Sequence, residues 1–108
     1  MQEIDPNKAI NYITSKADDF AKAKATRTFI ENNLRVIKSE LMNEESGTLG
    51  NKEAYAYAHP MYKAQIEALR GAVHDEEYLL WMMKAAVARV EIYKCQQYTS
   101  RAEIKSLG

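Results

Sequence analysis

The sequence predicts an all-α protein: a hairpin or bundle of long helices with a short middle helix, completed by dimerisation. Three observations carry that reading. The stretch His74 to Ile104 contains neither glycine nor proline and is filled with good helix formers. From Pro6 to about Met42 nothing breaks a helix either. No stretch alternates in strand fashion, apart from a few residues around Tyr55 and Tyr57. The expected helices are 6–42, 52–58, 60–73 and 74–104, with a linker at 43–51, within one domain spanning 1–108.

The first helix opens at Asp5-Pro6, an N-cap followed by the residue best tolerated at the first helical position. Ile10, Ile13, Ala17 and Phe20 form its first apolar stripe. At helical spacing that stripe runs into Lys24, Arg27, Glu31, Arg35 and Lys38. The later apolar residues, Ile30, Leu34, Ile37 and Leu41, lie about a quarter to a third of a turn away at ~100° per residue. Either the helix kinks near Ala23 to Thr26, or it stays straight and packs on two neighbours in turn. The second option favours a dimer.

Asn43 to Asn51 is the linker, rich in turn-forming Gly, Asn and Ser. Lys52 to Ala58 forms a short helix that ends before His59-Pro60, because the residue preceding proline resists helical geometry. Pro60 opens the next helix with His59 as its cap. Met61, Ile66, Leu69 and Val73 supply that helix with an apolar stripe. Gly71 either breaks it or sits inside it where another backbone comes close, which gives two helices or one bent helix. The last stretch has the apolar row Leu79, Met83, Ala86, Val90 and Tyr93 and begins among Tyr78 to Met83; Trp81, Met82 and Met83 read as core, with a recognition surface or a subunit interface as the alternatives. Asp75, Glu76 and Glu77 read as complements to a helix N-terminus. The ending, Ser106 to Gly108, is expected to fray.

The 108 residues carry 15 basic and 15 acidic side chains, so the net charge is zero. A basic total that would point to nucleic acid is missing, and the distribution of charge must carry any such reading. Cys95 is the only cysteine, which excludes an internal disulfide and fits a reducing cytosol. The acidic opening has no signal-peptide pattern, and no apolar run reaches the ~20 residues of a membrane span. The expected location is cytoplasm.

Catalysis and metal binding find no support. His59, His74 and Cys95 are scattered and lack paired ligand spacing. Cys95 has no histidine beside it in sequence and reads as a half-buried structural thiol. Gly47 and Gly50 lack the Lys-Ser/Thr of a phosphate-binding loop. The expectation is a non-enzyme without cofactor, catalytic residue or metal.

Two tracts are locally basic. Lys22, Lys24, Arg27, Arg35 and Lys38 stand against only Glu31 in that part of the first helix, and Ala21, Ala23 and Ala25 keep that surface thin. Lys94, Arg101 and Lys105 share one face of the last turns, with Tyr98 between them. A solvated face of mixed charge is the plain alternative. Rows of Lys and Arg on helices suit a duplex backbone, with salt-sensitive, sequence-independent contacts. No helix-turn-helix signature argues for base reading.

Three runs cover most of the chain and resemble one group: INYITSKADDFAKAKATR, EAYAYAHPMYKAQIEALRGAV and WMMKAAVARVEIYKCQQYTSRAEIK. The group is the small all-helical proteins of tailed bacteriophages encoded among replication and recombination genes. The resemblance implies an accessory factor in the host cytoplasm that binds double-stranded DNA, and carries no site residue across. The residues expected at phosphates are therefore Lys22, Lys24, Arg27, Arg35, Lys38, Lys94, Arg101 and Lys105. A helical adaptor that docks on a phage or host replication protein is the competing expectation. Exposure of Phe29, Ile30, Leu34, Ile37 and Leu41 would favour it.

Overall fold

The structure, a computed structural model, describes residues 3–107. Three helices account for nearly all of them, and no strand occurs among the described residues: α1 (Pro6–Glu44), α2 (Leu49–Ala58) and α3 (Pro60–Leu107). The class is all-α, with two long helices and a short middle one. None of the helices is long and apolar enough to cross a membrane.

Each helix start has a visible cause. The Asp5 carboxylate accepts from the Asn7 amide at 2.9 Å and the Lys8 amide at 3.4 Å, capping α1. Thr48 caps α2 by accepting from the Asn51 amide at 3.2 Å. That cap lets α2 begin at Leu49 instead of Lys52, and shortens the expected linker. Gly47 turns the chain between the helices with φ of 116°, a value that favours glycine. His59 ends α2 in extended geometry, and its Nδ1 accepts from the Met61 amide at 3.1 Å at the start of α3.

α3 is one helix of 48 residues, not the expected pair 60–73 and 74–104. Gly71 lies inside it with nothing within 4 Å of where a Cβ would stand, so no backbone approaches there. A single glycine costs a helix about 1 kcal/mol and does not end it. Asp75, Glu76 and Glu77 are consequently mid-helix, where no unpaired amide ends exist for them to complement. The expected fray is also absent through Leu107; Gly108 lies outside the described residues.

The chain divides into two compact units. One runs from Ala21 to Glu77. In it Leu41, Ala56 and Ala72 are buried, one from each helix. The inward row of α1 is Ala23, Arg27, Ile30, Leu34, Ile37 and Leu41, alternating four and three apart. That spacing averages about 3.6 residues, the α-helical period that keeps one row on one face of a helix. α1 stays helical through Ala23 to Thr26. On α3 the inward residues are Tyr62, Gln65, Leu69, Ala72 and Glu76. Met61, Ile66 and Val73 of the expected stripe are exposed instead. Small Ala72 takes the close position, which a ranking by hydrophobicity alone would miss.

The other unit joins the residues up to Phe20 with those from Tyr78 onward. Here α1 turns Ala9, Ile13, Lys16 and Phe20 inward, one register step from the expected Ile10 and Ala17. Lys16 is half-buried, and its ammonium reaches Asp19 at 3.6 Å. α3 contributes Leu79, Met83, Ala86, Val90 and Tyr93, the expected row. The buried side chains here are Ala9 and Ala86. Trp81, expected in the core, is 62% exposed, and Met82 is exposed as well.

Candidate nucleic-acid interface

The eight cations expected at phosphates fall into separate environments. Arg27 occupies the seam of the Ala21–Glu77 unit. Its Nε and Nη2 donate to the two carboxylate oxygens of Glu76, the latter at 3.3 Å, and its Nη1 donates to Glu31 at 2.9 Å. The hydrogen bond to Glu76 holds the guanidinium pKa above its ordinary value. Two carboxylates thus already pair with this charge, so Arg27 would have to give up those contacts to meet a phosphate. Lys38 is half-buried, with its ammonium 4.7 Å from the centre of the Tyr57 ring. Pairing with the Tyr57 side chain raises its pKa. Lys38 therefore ties α1 to α2.

Lys22, Lys24 and Arg35 are exposed on α1 in that same unit. Lys24 and Arg35 stand eleven positions apart, which at ~100° per residue brings them onto one face. Lys22, two positions from Lys24, lies on a different side of the helix. The first tract is consequently a pair of aligned cations with Lys22 apart from them.

The second tract holds together. Lys94, Arg101 and Lys105 are all exposed on one face of α3, and Tyr98 between them is 68% exposed. Tyr98, Arg101, Ala102, Ile104 and Lys105 line a shallow groove. Lys94 contacts Glu91 at 3.4 Å across an exposed helical turn, a pair of little strength in water. Arg101 and Lys105 make no hydrogen bond or ion pair among the described residues. The Cys95 thiol is exposed, not half-buried as expected. No group of three or more His, Cys, Asp or Glu is arranged to hold a metal among the described residues.

The remaining feature is apolar. Trp81, Ile92 and Tyr98 protrude from α3, and the Lys84 ammonium lies 4.5 Å from the Trp81 ring centre. The sequence did carry a signal for this outer row: Tyr78, Trp81, Ala85, Ala88, Ile92 and Cys95 recur three and four apart, one step off the inward row.

The class that fold and surface define is a small helical protein with separate basic and apolar faces. No family model matches the chain, and comparison with curated proteins and with solved structures gave no match.

Proposed function

We propose that this protein binds the phosphate backbone of double-stranded DNA without reading its sequence, as an accessory factor in phage replication or recombination. The observation that carries the reading is the exposed face of Lys94, Tyr98, Arg101 and Lys105 on the last turns of α3. Lys and Arg displace condensed counterions from phosphates, and the Tyr98 hydroxyl adds a hydrogen-bonding group. Lys24 and Arg35 supply a second patch. No helix-turn-helix signature stands out in the sequence, hence the sequence-independent mode.

The test is binding of labelled double-stranded and single-stranded DNA of unrelated sequences across a salt series. Duplex preference, equal affinity for all sequences and a linear fall of log K with log salt are expected. Absence of binding at low salt would overturn the reading. The adaptor reading keeps one specific support: Phe29 and Val36, seven apart on α1, are 67% and 51% exposed. Against it, Ile30, Leu34, Ile37 and Leu41 turn inward.

A further inference from the structure

We infer that the outer face of α3 from Tyr78 to Cys95 is a self-association surface that takes a second copy of this chain in antiparallel orientation. The face is an apolar seam in its own right. Tyr78, Trp81, Ala85, Ala88, Ile92 and Cys95 alternate three and four apart, and every one is exposed. The same helix segment already uses Leu79, Met83, Ala86, Val90 and Tyr93 against α1. Two seams on opposite sides of one helix call for two partners, and the unit within one chain supplies only one. The inner seam buries Ala9 and Ala86, while Tyr78, Trp81 and Ile92 on the outer face stay in water at 57%, 62% and 49% exposure.

The pattern specifies its own partner. Place a two-fold axis between Ala86 and Val87, and the seam becomes self-complementary. Trp81 then faces Ile92, Tyr78 faces Cys95, and Ala85 faces Ala88, so bulk at the two ends brackets small residues at the middle. The methyls of Ala85 and Ala88 let the two backbones come close. Ile92, Cys95 and Thr99 already line a shallow groove into which the second copy's aromatic rings would settle. Charge agrees with shape. On the flank beside the seam Lys84 meets Glu91 of the second copy, twice by symmetry. A parallel pairing would instead set Lys84 beside Arg89, two like charges. The flanking pairs thus choose the direction as well as the partner. This inference does not rest on DNA binding and stands or falls separately from it.

Sedimentation of the intact chain at micromolar concentration is the test, with circular dichroism to confirm that each variant keeps its helix content. A dimer is expected. Trp81→Glu should raise its dissociation constant at least about 30-fold, the scale of a buried aromatic anchor. Lys84→Glu and Glu91→Lys should each weaken it, and the double variant Lys84→Glu/Glu91→Lys should restore it. Tyr78→Cys should yield a disulfide-linked dimer on mild oxidation, through Cys95 of the second copy. The unaltered chain should not link, because its two Cys95 thiols lie about 25 Å apart along the paired helices at ~1.5 Å per residue. A stable monomer, a dimer indifferent to Trp81→Glu, or ready Cys95–Cys95 linkage would each overturn the inference.

Discussion

Arg27 of α1 and Glu76 of α3, 49 positions apart in sequence, grip one another through two hydrogen bonds within a seam of otherwise mainly uncharged side chains. Their side chains are 23% and 14% exposed, so water does little to screen them. A paired charge withdrawn from water fixes register more reliably than it adds stability, because desolvation offsets much of the attraction. One register of α1 against α3 satisfies Arg27; a slip by one helical turn leaves both charges stranded.

The prediction is a rank order. Arg27→Met alone and Glu76→Leu alone should each lower the urea midpoint, since each strands one charge. The double variant Arg27→Met/Glu76→Leu should recover the midpoint or exceed that of the parent. Recovery in the double variant is the diagnostic result. A double variant as weak as the sum of the singles would contradict it.

Leu41 is the largest side chain with essentially no exposure, at 2%. Leu41→Ala should cost about 2–5 kcal/mol, with the upper part of that range if the cavity cannot collapse. Urea denaturation reads it as a lowered midpoint with unchanged slope. Phe29→Ala, on an exposed face, should stay within about 0.5 kcal/mol of the parent.

The glycines should respond with opposite signs. Gly71→Ala should stabilise by about 1 kcal/mol, since the helix is open there and alanine is the better helix former. Gly47→Ala should destabilise by about 1–2 kcal/mol, because φ of 116° is strained for an L side chain and the new methyl meets Asn51 at 3.3 Å. Thermal melts of both variants check the pair.

Alkaline pH should loosen the α1–α2 corner. The Tyr55 hydroxyl donates to Glu44 at 3.0 Å, and that bond raises the phenol pKa above its ordinary value of 10.0. A raised folded pKa means the contribution is complete below about pH 10 and is lost as pH climbs through the folded value. Lys38 against Tyr57 has the same sign, from an ordinary value of 10.5. Tyr55→Phe should therefore be less stable than the parent at pH 8, with the two converging above pH 10. Parallel curves across that range would argue against the hydrogen bond.

Charge reversal should sort the basic residues. Lys24→Glu with Arg101→Glu should weaken binding to all duplex sequences alike and lower the salt slope by roughly one per lost phosphate contact. Lys38→Gln should leave the slope unchanged, because Lys38 is held against Tyr57. Equal effects from both sets would show that the distinction drawn from their surroundings is wrong.

Much of this could be read from residues in order. Asp5-Pro6 and His59-Pro60 marked helix starts because capping is local: donor and acceptor lie two or three positions apart. The row from Leu79 to Tyr93 was legible because it is apolar at every position. Elsewhere periodicity misled. Ile10, Ala17, Ile66 and Val73 rank as core by hydrophobicity, yet Ala9, Lys16, Gln65 and Ala72 occupy the inward positions. Side-chain chemistry says how favourable burial is; the closeness of a neighbouring helix says which position has room.

The sequence by itself determined the all-α class, the short middle helix between long ones and the helix starts at Asp5-Pro6 and His59-Pro60, since those follow from propensity and contacts within a few residues. It also placed Lys94, Arg101 and Lys105 on one face, because helical spacing alone decides that. Only the tertiary structure decided that Glu76 belongs to Arg27 and not to a helix N-terminus, and that Lys38 belongs to Tyr57. It alone decided that Trp81 stands in water while Met83 does not. Those outcomes depend on which segments distant in the chain come to lie against each other, and a count along one helix holds no information about its neighbour.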